Sequence, residues 1–329
     1  MKAILTDENH ALHWSEVPDP QIGPDEVLVR VCAAAVNRAD LLQRAGDYPP
    51  PPGAPEWMGL EISGEIIAVG AEAAAHRKAG DRVCALLGGG GYAEMAAVRW
   101  DMTMPIPKGV SMVQAAAIPE AFATAYLNLF REGQAKAGKT LLMHAGASGL
   151  ASAVIPMAKA FGLRVLTTIR RPEQAEAIRP LGADRIIVTS REDIVQVMRE
   201  ELEAGHGVDL AVDCLGGETV GKCLPYMARG GRWIMIASLA GTKTEVDVKE
   251  LYRRGVRLIG STLRSRPPEV KAQILGALVR DVWPLAEAGK VLPTIYHVLP
   301  IEQAEEAQAI LQHGGHVGKV VMTVGSCEA

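Results

Sequence analysis

The residues best suited to chemistry lie between 140 and 171. Thr140 to His144 is a short apolar run of the kind a buried parallel strand shows. It runs into Ala145-Gly-Ala-Ser-Gly149 and small residues as far as Ala153, where another backbone or a phosphate can come close. Val154 to Phe161 continues at helical spacing, Gly162 stops it, and Arg164 to Thr168 reads as the next strand. Strand, small-residue turn, helix and strand in this order form the first unit of a dinucleotide-binding fold. The unpaired N–H groups at the helix start attract a pyrophosphate. Against G-x-G-x-x-G, Gly146 fits, Ser148 takes the middle place, Gly149 follows and Ala151 replaces the last glycine.

The end of the second strand, Thr167-Thr-Ile-Arg-Arg171, carries a second chemical signal. No acid occurs between Arg164 and Glu173. A carboxylate there would accept bonds from a ribose diol and repel a 2′-phosphate, whereas arginine offers a phosphate a charge-assisted contact. Thr168, Arg170 and Arg171 therefore predict NADPH rather than NADH. One of the two arginines is expected to meet solvent or cap the next helix.

These residues need elements to position them. The 329 residues are too many for one ordinary core and suggest two domains. From 1 to about 118, short strands alternate with Gly and Pro turns, as in a barrel-like domain. Glu26–Ala33, Gly64–Gly70, Asp81–Leu87 and Tyr92–Val98 are the expected strands, and Tyr48 with Pro49–Gly53 forms a stiff loop. From 119 to 260 strands alternate with helices, which predicts a parallel, doubly wound sheet. There Ser190 is expected to cap a helix to about Leu202, with Asp193 in a capping box. A helix from Pro267 to about Gly289, a strand at Val291–Val298, a helix from Ile301 to Gln312 and a strand at Gly318–Thr323 follow. The last two strands look like a return to the first domain, giving 1–118 with 261–329 and an inserted 119–260.

Composition excludes several classes. The chain is 48% hydrophobic and 22% charged with net charge −4, which argues against nucleic acid. Five Trp, six Tyr and three Phe are too scattered for a base-stacking platform. No stretch of ~20 apolar residues suits a membrane span, and Met1–Leu5 reads as a strand rather than a signal peptide. The five cysteines, Cys32, Cys84, Cys214, Cys223 and Cys327, are odd in number and contain no C-x-x-C pair. Neither a disulfide framework nor a zinc site is expected, and a reducing cytoplasm fits best.

Motifs along nearly the whole chain carry a family resemblance. They include Asn37-Arg-Ala-Asp40, Gly46–Gly53, Gly59-Leu-Glu61, Gly80–Val83, Ala115–Glu120, His144–Gly149, Leu181-Gly-Ala183, Asp213–Gly217, Leu263–Arg266 and Gly318-Lys-Val320. The chain resembles the zinc-independent NADPH quinone oxidoreductase group of the medium-chain dehydrogenase/reductase superfamily. The resemblance implies an α/β fold. A GroES-like β-rich catalytic domain is joined to a doubly wound parallel-sheet Rossmann domain, with the nicotinamide in a cleft between them. It also implies homodimers through the Rossmann domain, where Arg257–Gly260 would be an edge strand.

The resemblance also assigns residues. Zinc-dependent members carry a cysteine near the Asn37 place and a histidine at the Leu60 place; neither Asn nor Leu serves as that ligand. Without a Lewis acid a simple carbonyl is poorly polarised, whereas a quinone needs only hydrogen-bond donors. Asn37 would lie near the nicotinamide ribose or else only cap a turn. Tyr48 would donate to a quinone oxygen or else line the cleft. Thr124 would face the cofactor; Gly146, Ser148, Gly149 and Leu150 would meet the pyrophosphate; Ser238 and Leu239 would contact the carboxamide. Leu263 and Lys319 are cofactor candidates by position alone, Glu61 reads as structural, and Cys214 as core. The expected activity is hydride transfer from NADPH to a quinone or similarly activated carbonyl. The alternatives are an enoyl or enone reductase on the same fold and a non-catalytic, crystallin-like NADPH-binding protein.

Overall fold

The computed structural model describes residues 1–325. The chain divides into two compact units, Met1–Ala123 with Arg264–Ala329, and Thr124–Leu263. The passage from the first to the second falls inside the helix Pro119–Tyr126.

In the first unit β1 (Lys2–Thr6) and β2 (Leu12–Glu16) pair antiparallel. The strands β3 (Glu26–Ala35), β4 (Glu61–Val69), β5 (Arg82–Leu86), β6 (Met95–Arg99) and β7 (Thr103–Pro105) follow. In β3 the period of two is visible as buried Val27, Val29 and Val31 against exposed Arg30. The helix Arg38–Arg44 starts directly after β3, and the Asp40 carboxyl accepts the Asn37 N–H at 2.7 Å.

The second unit contains β8 (Thr140–Met143), β9 (Arg164–Ile169), β10 (Arg185–Val188), β11 (Val208–Asp213), β12 (Met227–Met235) and β13 (Arg257–Gly260). They form one six-stranded sheet in the order β10-β9-β8-β11-β12-β13, and every pair is parallel. Leu142, Leu166, Ile187 and Trp233 are buried at its core. The order reverses between β8 and β11, and such a switch point leaves a crevice at the strand carboxyl ends. The chain then adds β14 (Ile295–Pro300) and β15 (Lys319–Thr323) to the first unit. There the seven-stranded sheet runs β14-β15-β3-β4-β5-β7, with β6 pairing β3.

Several local expectations are corrected. Asp193, not Ser190, is the N-cap: its carboxylate accepts from Val195 N at 2.9 Å, and the helix runs Ile194–Glu203. The helix expected from Pro267 to Gly289 is two, Pro268–Asp281 and Trp283–Glu287. Pro284 sits in the first turn of the second, where its missing N–H costs nothing. The strand expected at Val291–Val298 forms later, at Ile295–Pro300. Cys84, Cys214 and Cys223 are free thiols, but Cys32 is in a disulfide; the odd cysteine count does not preclude one. Cys327 lies outside the described residues. No helix among the described residues is long and apolar enough to cross a membrane.

Candidate active site

In the second unit the turn after β8 is built for close approach. Ala145 takes a positive φ of 55°. Gly146 N then donates to Thr168 O at 2.7 Å, which brings the turn against β9. A methyl group on Gly146 would overlap the Thr167 hydroxyl, so the glycine is required here by space. Ser148 Oγ accepts from Ala151 N at 3.1 Å and opens the helix Ala151–Ala160. Among the described residues, the N–H groups of Gly149 and Leu150 have no hydrogen-bond partner. Two donors at the mouth of a helix suit an anion.

At the end of β9, Thr168 is buried, Arg170 exposed and Arg171 half-buried. Thr168 Oγ1 accepts from Ala145 N at 3.2 Å and meets Nδ1 of His144 at 3.0 Å. Burial lowers the His144 pKa, so its ring is neutral. Its Nε2 has no partner, and an orphaned lone pair is less costly than an orphaned N–H. That places the proton on Nδ1, donating to Thr168. The eight histidines are scattered along the chain, yet this one anchors a predicted cofactor residue. Its signal in the sequence is its place at the mouth of the turn.

The carboxyl ends of β12 and β13 border a pocket of about 330 Å³ lined by Gly216, Met235, Ser238, Thr242, Lys243 and Ser261, among others. Asp213 shapes one wall by accepting from Leu215 N at 2.7 Å, Gly216 N at 3.1 Å and the Trp233 indole at 2.9 Å. Ser238 and Leu239 are exposed, and only Ser238 lines this pocket. Thr124 is half-buried and its carbonyl accepts from Asn128; Leu263 is buried.

The first unit holds a buried polar cluster. Glu61 Oε1 accepts from Asn37 Nδ2 at 3.0 Å and pairs with Lys319 Nζ at 2.7 Å, while its Oε2 accepts from Glu120 N at 2.8 Å. Lys319 Nζ also donates to Asn37 Oδ1 at 2.6 Å and Val36 O at 3.0 Å. Its three N–H groups are thus all engaged inside the protein, which makes it an anchor for Asn37. Asp40 accepts from Asn37 N at 2.7 Å, the Tyr92 hydroxyl at 2.8 Å and Gly59 N at 3.3 Å. Burial pushes its pKa up to about 6 against the pull of those donors.

Tyr48 stands beside Arg264, whose guanidinium lies 4.9 Å from the ring centroid. Arg264 is buried and donates to Gly88 O at 2.9 and 2.7 Å, Tyr48 O at 3.1 Å and Gln43 Oε1 at 2.6 Å. One side chain thus pins the proline loop, the four-glycine turn and the first helix. Burial raises the Tyr48 pKa, with Glu120 adding to the rise and Arg264 opposing it. Sequence reasoning gave no role to Arg264 or Glu120; each lay inside a family motif, and only the folded chain sets Arg264 against Tyr48 and Glu120 N on Glu61.

Zinc does not fit the residues at the would-be ligand places. Leu60 is buried and apolar and supplies no ligand atom, and the Asn37 side chain is already engaged by Glu61 and Lys319. Among the described residues no group of three or more His, Cys, Asp or Glu converges to hold a metal ion.

Two family models match. The alcohol dehydrogenase GroES-like domain covers residues 23–108, and the zinc-binding dehydrogenase domain covers residues 149–279. The mouse quinone oxidoreductase is 30% identical over 93% of this chain and 91% of its own length. The quinone oxidoreductase from Thermus thermophilus, solved alone and with NADPH, is 32% identical. It covers 98% of this chain and 100% of its own, with a TM-score of 0.82. A highly reducing polyketide synthase of Cordyceps militaris is 31% identical over 95% of this chain, which spans 12% of that protein.

Proposed function

Because the chain belongs to the quinone oxidoreductase-type medium-chain dehydrogenases/reductases, we propose that this oxidoreductase is a metal-free, NADPH-dependent reductase of quinones or similarly activated carbonyls. The observation that carries the reading is the Lys319–Glu61 pair at 2.7 Å, which is bonded to Asn37 at the place of a would-be ligand. With that pair in place, hydrogen-bond donors and not a Lewis acid must stabilise the developing charge. A quinone suits such a site, since aromatisation drives its reduction and its phenolate is delocalised.

The dinucleotide, when bound, supplies a hydride. Gly149 and Leu150 offer their free N–H groups to its pyrophosphate, and Gly146 lets it approach. Arg170 and Arg171 offer the 2′-phosphate a cation. Ser238 and Leu239 are proposed to meet the carboxamide. Asn37, locked by Glu61 and Lys319, is preorganised to orient the reacting groups. Tyr48 has no hydrogen-bond partner for its hydroxyl among the described residues and offers it to the acceptor's oxygen.

The test is NADPH consumption by purified protein with a panel of ortho- and para-quinones and of enones. Quinones are expected to give the higher kcat/KM. The similarity to part of a polyketide synthase makes an activated C=C the competing acceptor, and a preference for enones would overturn the quinone assignment. Bound NADPH with no consumption on any acceptor would favour a non-catalytic role.

A further inference from the structure

We infer that Arg264 is a positioning residue of the reaction, holding Tyr48 so that its free hydroxyl is fixed as the donor to the acceptor's oxygen. The inference rests on the reductase reading above. Arg264 is the first residue of the chain's return to the first unit, and it is buried. Its Nη1 donates to Tyr48 O at 3.1 Å, and its guanidinium lies over the Tyr48 ring, 4.9 Å from the centroid. One planar group thus holds both the main chain and the ring of Tyr48. The hydroxyl at the far end of that ring has no hydrogen-bond partner among the described residues.

The guanidinium is itself anchored. Nε and Nη2 both donate to Gly88 O, at 2.9 and 2.7 Å, and Nη2 also donates to Gln43 Oε1 at 2.6 Å. Gln43 in turn donates to Glu56 O at 2.7 Å, beyond the proline run. Lys271, from the helix Pro268–Asp281, donates to Arg264 O at 3.0 Å. The loop also rests directly on the four-glycine turn. A methyl group on Gly88 would stand 3.0 Å from Pro51 Cγ and 3.4 Å from Ala54 Cβ. Trp57 Nε1 donates to Gly90 O at 3.0 Å, and Gly90 N donates to Trp57 O at 2.8 Å. The prolines limit the loop's own freedom. Two grips, the Arg264 guanidinium and the glycine turn, therefore set where Tyr48 stands.

The arrangement needs an arginine and not merely a cation. Lysine would keep the charge and lose the fork. An ammonium cannot serve Gly88 O, Tyr48 O and Gln43 Oε1 in these directions while also stacking on a ring. The role is geometric, because a hydroxyl stabilises a developing oxyanion only while it is aligned with it.

Arg264→Lys is expected to lower kcat with a quinone about tenfold or more, with the KM for NADPH changed by no more than about twofold. In a Tyr48→Phe background the same substitution should change kcat little, because the hydroxyl it aims is gone. A merely structural role would lower kcat equally in both backgrounds. Gly88→Ala presses on the same loop without touching the charge. It should show the same dependence on the Tyr48 hydroxyl, and it decides the matter if Arg264→Lys does not fold. A readout without turnover is fluorine-19 NMR of the cofactor-free protein carrying meta-fluorotyrosine at its six tyrosines. The Tyr48 signal, identified by its loss in Tyr48→Phe, should shift and broaden in Arg264→Lys while the others stay in place. Equal losses of kcat in both backgrounds, an unchanged kcat or an unmoved Tyr48 signal would each overturn the inference and leave the reductase reading standing. Absence of turnover by wild type on every acceptor overturns both.

Discussion

Lys319 Nζ lies 2.7 Å from Glu61 Oε1, with the two side chains 4% and 0% exposed. An ion pair so buried stands only because every remaining lone pair and proton nearby is bonded. Asn37, Val36 and the Glu120 N–H meet that demand. Removing one partner strands the other charge. Lys319→Met and Glu61→Leu are each expected to destabilise the protein by about 3–5 kcal/mol. The double variant should recover much of the loss. Urea denaturation checks this, and additive losses in the double variant would contradict the coupling.

The cofactor preference is expected to lie at the end of β9. Wild type should favour NADPH over NADH by tenfold or more, since one charge-assisted contact contributes about 1.5–3 kcal/mol. Arg170→Ala and Arg171→Ala, measured as kcat/KM for both cofactors, will say which arginine meets the 2′-phosphate. Equal use of both cofactors by wild type would sink the assignment.

The protein is expected to be a homodimer through the edge strand β13, which among the described residues pairs only with β12. The preceding helix, Val248–Arg254, adds Val248 and Tyr252, which are 66% and 69% exposed in the single chain. Large apolar exposure beside an unpaired strand edge suits two-fold pairing. Light scattering at micromolar concentration should give twice the chain mass; a monomeric mass would count against it.

Much of the fold was legible because its signals are local. The turn from His144 to Ala151 and the run of strands β8 to β13 follow from apolar runs and glycine stops. Where two signals competed, the reading slipped. Ser190 and Asp193 are both good caps, and only the packed helix selects Asp193. The long helix after Pro267 broke because Pro284 starts a new helix as comfortably as it ends an old one. The residues of the candidate site were legible only where a local pattern or motif marked them. Asn37 and Tyr48 were named through family motifs, and the turn from Gly146 to Leu150 through its place between a strand and a helix. Arg264 and Glu120 were not, because their meaning lies in contacts with residues 43, 48, 61 and 88, far away in the chain.

The most direct test of a metal-free reductase is the stoichiometry of product formation after exhaustive chelation. The protein is dialysed against chelator, its metal content is measured, and hydroquinone formed is counted against NADPH consumed. The account predicts one hydroquinone per NADPH at an unchanged rate in metal-free protein. Stoichiometric zinc whose removal abolishes turnover would contradict it.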